Sequence, residues 1–326
     1  IPGPMSYGVL YRTVRKVLDE SHMEGALKAE IERDPGKFVV ADPELPLALL
    51  DLMHAGKKLL LITNSEWSYT RKMMSHAFDA WLPKGMTWRD LFDIVIVESR
   101  KPSFFLHENA LFEVVNEEGL LRPTHTMGPK GTFHGGNAAL IERSLGLTGE
   151  EILYVGDHIF ADVHVSKNVL RWRTALVVRE LEDELKAIEA FAPKQAELTR
   201  LMSDKAKLEA QFSDLRLGMQ RLEKAYGPPP TLSPDAMRER MKVIRAELVT
   251  LDDRIAPLAR EAGELMNKRW GLLMRAGSDK SNFARQLERY ADVYLSRVSN
   301  LLFATPFSYA RAPRLSMPHD PTPPDT

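Results

Sequence analysis

The sequence contains no cysteine, so disulfides and thiolate metal sites are excluded and a reducing, cytoplasmic setting is the expectation. It has no run of about 18 apolar residues and no signal-peptide pattern, so no membrane partner is expected. It also lacks any excess of charge. The 44 Lys and Arg nearly balance 45 Asp and Glu, which argues against a molecule-wide basic surface for a nucleic-acid polymer. What is present is ordinary for a globular protein: 326 residues, 44% hydrophobic and 27% charged, enough for one large or two average domains.

The most informative stretch is Ile152 to Asp162. Ile152-Leu153-Tyr154-Val155 reads as a short buried strand, and Gly156 lets the backbone turn so that Asp157 stands just past the strand's C-terminal edge. Asp157 and Asp162 then share one loop. In an open α/β sheet that edge is where ligands bind, and paired carboxylates there suit a hard cation such as Mg²⁺. The plainer alternative is a turn residue followed by a helix N-cap.

Two more strand-loop units come earlier in the chain. Leu59 to Thr63 is a continuous apolar run of the kind buried on both faces of a sheet, and it ends in Thr63-Asn64-Ser65 ahead of a helical segment from Tyr69 to Phe78. Hydroxyl and amide groups beside the free N–H groups of a helix start make a phosphate cradle, although an ordinary helix cap would use the same residues. Ile94-Val95-Ile96-Val97 is followed by Arg100-Lys101-Pro102, where the proline ends regular pairing and leaves Lys101 on a loop. With Ala175 to Val178 as a fourth strand, the order predicts a doubly wound parallel sheet. A cradle, a lysine and an Asp pair are together the parts needed for phosphoryl transfer.

The flanks differ in kind. Residues 1–40 read as helical, with Val9, Val14, Val17 and Leu18 on one side and Arg15, Asp19, His22 and Lys28 recurring on the other; the plain reading of the charged side is a solvated face. From Leu181 onward, Leu201, Leu208, Leu215 and Leu222 repeat every seven residues, Gly227-Pro228-Pro229-Pro230 interrupts, and a second stripe runs from Met237 to Leu258. Two heptad helices joined by a proline-rich turn predict an antiparallel helical hairpin, with a partner-binding coiled coil as the alternative.

Thr63-Asn64-Ser65, Arg100-Lys101-Pro102 with Phe104-Phe105, Gly135-Gly136-Asn137 and Gly156 through Asp162 resemble motifs II, III and IV of the haloacid dehalogenase superfamily. More narrowly, with Trp172-Arg173-Thr174, Arg289-Tyr290-Ala291-Asp292 and Met317-Pro318-His319-Asp320, they resemble the cytosolic purine (IMP/GMP-specific) 5′-nucleotidase family. The resemblance implies an α/β, Rossmann-like parallel sheet with a helical cap and a long C-terminal helical hairpin. With the heptad stripes and the five prolines after residue 312, it divides the chain into part of a cap at 1–45, the core at 46–180, hairpin and C-terminal helices at 181–312, and a loose tail at 313–326.

It also implies roles. Thr63, Asn64 and Ser65 would bind phosphate. Lys101 and Asp162 would be catalytic, Asp157 would ligate Mg²⁺, and Arg15, Asp19, His22 and Lys28 would contact a purine nucleoside monophosphate. One element of the family pattern is lacking: no Asp-x-Asp, the source of nucleophile and acid/base, precedes residue 59. The strand that carries it lies between the strands at 59–63 and 152–155, so those two should flank a strand-wide gap and the chain as given should be inactive. The alternative function is a catalytically silent relative that acts as a scaffold. Association into a homo-oligomer is compatible with either.

Overall fold

Period-two apolar runs and period-3.6 stripes alternate through the first half of the chain, and the fold follows them. The computed structural model describes residues 6–23, 25–277 and 279–309, so the tail at 313–326 and the Met317-Pro318-His319-Asp320 motif lie outside the described residues. Residues up to 178 with those from 289 onward form one compact unit, and Arg179–Glu288 form another.

The first unit opens with α1 (Tyr7–Met23) and α2 (Ala26–Arg33), then the short α3 (Pro35–Phe38). The apolar side expected on α1 forms but is not covered: Val9, Val14, Val17 and Leu18 are 40%, 50%, 55% and 57% exposed. Next come α4 (Glu44–His54), β1 (Leu60–Ile62), α5 (Trp67–Phe78), α6 (Trp88–Leu91), β2 (Ile94–Val97) and α7 (Ser103–Leu106). β3 (Leu111–Val114) and β4 (Leu121–Thr124) make a hairpin, followed by β5 (Gly131–Gly135) and α8 (Ala138–Leu145). β6 (Leu153–Gly156), α9 (Val165–Leu170) and β7 (Arg173–Val177) complete the run.

The described strands of this unit form two sheets rather than the single parallel one expected. The larger has order β1-β2-β5-β3-β4, parallel across β1, β2 and β5 and antiparallel beyond. The smaller places β7 between β6 and β10 (Val293–Leu295), all parallel. The sequence reading missed β3, β4 and β5 because each is short and interrupted by polar residues, proline or glycine, and β10 because it is only three residues long. No ladder joins β1 to β6. Each of these two strands has one neighbour and one free edge among the described residues, as the implied gap requires.

β2 is the centre of the core. All four of its residues are buried, and their alternation sends Ile94 and Ile96 to one face and Val95 and Val97 to the other. On the first face they meet Phe104, Phe105, Phe133 and Ile141 together with Tyr154 of β6 and Trp172 just ahead of β7; on the second they meet Leu49, Trp67, Phe78, Trp88 and Phe92. The sheets thus share one apolar layer. Helices cover both faces of β2, the layering of a mixed α/β protein.

In the second unit α10 (Leu181–Lys224) and α11 (Pro234–Gly263) run antiparallel, joined through the Gly227-Pro228-Pro229-Pro230 segment. Lys205 pairs with Asp252 at 2.5 Å and Arg254 with Glu197 at 3.3 Å, while Leu198, Leu201, Met237 and Ile244 are buried. A small ribbon of β8 (Arg275–Ala276) and β9 (Asp279–Lys280) leads to α12 (Asn282–Tyr290). No helix among the described residues is long and apolar enough to cross a membrane.

Candidate active site

Parallel pairing brings the C-terminal ends of β1 and β2 side by side, and the two loops that leave them are tied together. Thr63 donates its N–H to Ile96 O at 2.9 Å and accepts the Ser99 N–H at 3.0 Å. Its hydroxyl accepts the Ser65 N–H at 3.1 Å, closing a tight local turn. The Asn64 amide spans the loops: its oxygen accepts the Ser99 hydroxyl at 2.9 Å and the Lys101 N–H at 2.7 Å, and its nitrogen donates to Lys101 O at 3.2 Å. The helix-cap alternative for Thr63-Asn64-Ser65 fails on position, since α5 begins at Trp67 with Glu66 at its N-cap. The Asn64 side chain is therefore a latch for the lysine loop. The amide group that was expected to hold a phosphate is already committed twice through its oxygen and once through its nitrogen.

The lysine loop is held in a costly conformation. Glu98 and Arg100 have φ of 45° and 59°, in the left-handed region that L side chains disfavour by roughly 1–2 kcal/mol each. Ser99 between them is fully buried, and the Glu98 carboxylate lies 2.8 Å from His134 Nδ1 on β5. The result is a fixed direction for Lys101, whose ammonium lies 3.0 Å from Tyr154 Oη and 3.0 Å from Asp162 Oδ1.

Asp162 is 3% exposed and fully occupied. Besides Lys101 it accepts the Tyr154 hydroxyl at 3.3 Å and the His158 N–H at 3.2 Å. It lies in a π-helical turn, Ile159–His164, whose start is capped by His158 Nδ1 accepting the Ala161 N–H. Glycine at 156 is explained by this side chain rather than by backbone freedom. A Cβ there would stand 2.6 Å from Asp162 Cβ and 2.7 Å from its Oδ2. Asp157, at the end of β6, is exposed. Burial, then the charge and hydrogen bond of Asp162, then Asp157, push the Tyr154 phenol far above its ordinary pKa, so it stays neutral.

The upstream residues divide. Lys28 on α2 pairs with Glu66 at 2.5 Å, one residue beyond Ser65, and stands 5.1 Å from the Tyr69 ring. Burial raises the Glu66 carboxyl, but the Lys28 hydrogen bond, its own backbone N–H and the Lys28 charge outweigh that and hold it below the usual range. Arg15 lies on exposed α1, where it bonds Tyr11 Oη at 3.4 Å, and is not brought to the Lys101 cluster. The side chains of Asp19 and His22 lie outside the described residues. A cleft of about 190 Å³ opens beside the cradle, lined in part by Glu66, Trp67, Ser68, Glu98 and His134.

A divalent cation is not provided for by these residues alone. Among the described residues no group of three His, Cys, Asp or Glu is placed to hold a metal, and of the two loop carboxylates Asp162 is taken by Lys101, leaving Asp157. Sequence reasoning also missed Tyr154, read as one more apolar strand residue, and Ser99. A hydroxyl inside an otherwise aliphatic strand, and a serine between a buried strand and a lysine, were the signals to follow.

A C-terminal segment completes the frame. Asp292, just ahead of β10, pairs with Lys167 of α9 and accepts the Thr174 N–H at 2.9 Å, while Tyr290 packs edge-on against His164 at 4.4 Å. The distant motifs Trp172-Arg173-Thr174 and Arg289-Tyr290-Ala291-Asp292 are thereby one contact, bracing the helix that follows the Asp162 turn.

Compared with known proteins, residues 3–322 match the family model described as "5' nucleotidase family". The human "5'-nucleotidase domain-containing protein 2" is 29% identical over 297 residues, a match that covers 90% of this chain and 51% of the human protein. The chain thus spans about half the length of that relative.

Proposed function

Because the chain belongs to the 5' nucleotidase family, we propose that it supplies the lysine, phosphate cradle and supporting carboxylate of a phosphoric monoester hydrolase acting on purine nucleoside 5′-monophosphates of the IMP/GMP type. The observation that carries this reading is the joining of three strand ends into one network: Asn64 to Lys101, and Lys101 to Tyr154 and Asp162.

Transfer to an aspartate nucleophile brings like charges together, so a fixed cation must offset the repulsion. Lys101 is such a cation, half-sheltered at 15% side-chain exposure and aimed by Asp162. The Thr63 and Ser65 hydroxyls and the Asn64 N–H would be donors for the phosphoryl oxygens, and Lys28 beside Glu66 would face the nucleotide, with Arg15, Asp19 and His22 as further contacts. The proposed chemistry requires an aspartate nucleophile, and the Asp-x-Asp expected to supply it does not occur before residue 59. Mg²⁺ belongs to the proposal through the exposed Asp157 alone; when bound, the cation would neutralise phosphate charge. A cytoplasmic site of action is part of the proposal, in keeping with a sequence free of cysteine.

The test is inorganic phosphate release by the intact natural protein from IMP and GMP, with UMP as the pyrimidine comparison, with and without Mg²⁺. Lys101→Met should lower turnover by roughly two orders of magnitude, by analogy with removal of one preorganised electrostatic group. A Lys101→Met enzyme as active as its parent would overturn the assignment, and no release from any 5′-monophosphate by the parent would leave the scaffold reading in its place.

A further inference from the structure

Tyr154 sits where a phenylalanine would satisfy the packing. Its ring is 7% exposed and meets Phe105 edge-on at 5.2 Å and Trp172 at 6.0 Å, both themselves buried. An aromatic wall therefore fixes the ring independently of anything bound at the strand ends. Its hydroxyl, however, points at charge, 3.0 Å from the Lys101 ammonium and 3.3 Å from Asp162 Oδ1. A tyrosine hydroxyl has one proton and two lone pairs. Here the proton goes to the carboxylate and a lone pair faces the ammonium, so a single oxygen bridges the two charges.

Lysine needs such a guide more than most cations do. Its ammonium rides on a four-carbon stem with free rotation, and one carboxylate contact leaves it able to swivel about that oxygen. With two acceptors at fixed angles it cannot. Of its three N–H groups two are taken among the described residues, leaving one for a phosphate oxygen.

We propose that Tyr154 is the positioning residue for Lys101, its hydroxyl holding the ammonium in the single orientation that presents one free N–H to the phosphoryl group. The inference rests on the phosphoryl-transfer reading above and deepens it. The phenol acts only as a hydrogen-bonding group, since its burial beside Asp162 keeps it neutral.

The test uses the intact natural protein and its Tyr154→Phe variant, and reads Lys101 in two ways. The first is the rate of acetylation of Lys101 by an N-hydroxysuccinimide ester, followed by peptide mass spectrometry against the exposed Lys84 in the same sample. In the parent, Lys101 should react at least about tenfold more slowly than Lys84, the scale of a hydrogen bond to a charged group. In Tyr154→Phe, which keeps the ring and its packing, the Lys101-to-Lys84 ratio should rise three- to tenfold.

The second reading is kinetic: phosphate release from IMP should lose about tenfold in kcat with KM changed less than twofold, because orientation matters most in the transition state. As a control, Phe105→Leu loosens the same aromatic wall while keeping the hydroxyl. It should lower the melting temperature and leave the acetylation ratio where it was. An unchanged ratio in folded Tyr154→Phe overturns the proposal, whatever the turnover. If Tyr154→Phe does not fold, the parent alone decides: Lys101 as reactive as Lys84 overturns the proposal, and a tenfold slower Lys101 supports it. A parent that releases no phosphate while its acetylation ratio still rises on loss of the hydroxyl keeps Tyr154 as the guide of Lys101 and removes the nucleotidase reading.

Discussion

Replacing Asn64 by alanine separates two roles that the same residue has been given. As a phosphate ligand it would affect substrate affinity and little else. As the latch seen in the structure it accepts from Ser99 Oγ and Lys101 N and donates to Lys101 O, so Asn64→Ala removes three hydrogen bonds at once. A net hydrogen bond contributes about 0.5–1.5 kcal/mol, and two of the three are exposed, which sets the loss at about 1.5–3 kcal/mol. The Ser99 hydroxyl, fully buried, loses its acceptor and stands toward the upper end of that range. The left-handed conformations of Glu98 and Arg100 are then opposed by fewer contacts, so the loop relaxes and Lys101 moves with it. The assay is native-state hydrogen exchange of the Lys101 amide, whose acceptor is Asn64 Oδ1, alongside denaturant melts. Protection at Lys101 should fall by roughly tenfold or more, equivalent to about 1.4 kcal/mol. An Asn64→Ala protein within about 0.5 kcal/mol of its parent, with the Lys101 amide equally protected, would refute the latch and return Asn64 to the substrate.

Gly156→Ala should destabilise by about 1–3 kcal/mol through overpacking against Asp162, and should break the His158 N–H contact to that carboxylate; a melt and a crystal structure would check both. Arg100→Gly removes a left-handed side chain at φ 59° and should stabilise by about 0.5 kcal/mol in denaturant melts after allowing for glycine's greater freedom in the unfolded chain, while loosening the loop that aims Lys101. The Lys28–Glu66 pair lowers the Glu66 carboxyl, so its stabilising effect is present above the ordinary carboxylate range and is lost as pH falls through the lowered folded value. Glu66→Gln should therefore reduce stability near neutral pH and flatten the acid limb of a stability-against-pH curve, by a small amount because the carboxylate is 40% exposed and screened by salt.

Some of this architecture was legible from local pattern alone. β2 reads as buried on both faces because four consecutive β-branched residues have no polar partner to turn outward, and all four are buried. α5 begins two residues earlier than its periodicity predicts, since Trp67 packs into the core on the Val95 and Val97 side. β3 and β4 were illegible because their pairing depends on a distant strand: β3 is fixed by β5, and the run Leu121-Arg122-Pro123-Thr124 has no burial pattern of its own. β10 is likewise placed by β7, more than a hundred residues away.

The candidate site shows the same division in sharper form. Lys101, Asp162 and the Thr63 turn could be singled out because each stands at the end of an apolar run, where the chain must change conformation and polar chemistry becomes affordable. What could not be read was which polar atoms are used up by one another. Asn64 and Asp162 both looked like groups available to a ligand, yet one is committed to the lysine loop and the other to the lysine itself. Tyr154 looked apolar because strand residues around it are, and only the approach of a loop 53 residues away reveals that its hydroxyl has work. Sequence order tells where charge can be placed at a strand end; the long-range contacts between three such ends decide which charges face each other and which remain for a substrate. Among the described residues at these strand ends, the third N–H of Lys101, the hydroxyl of Thr63 and the exposed carboxylate of Asp157 are groups on which phosphate chemistry could be built.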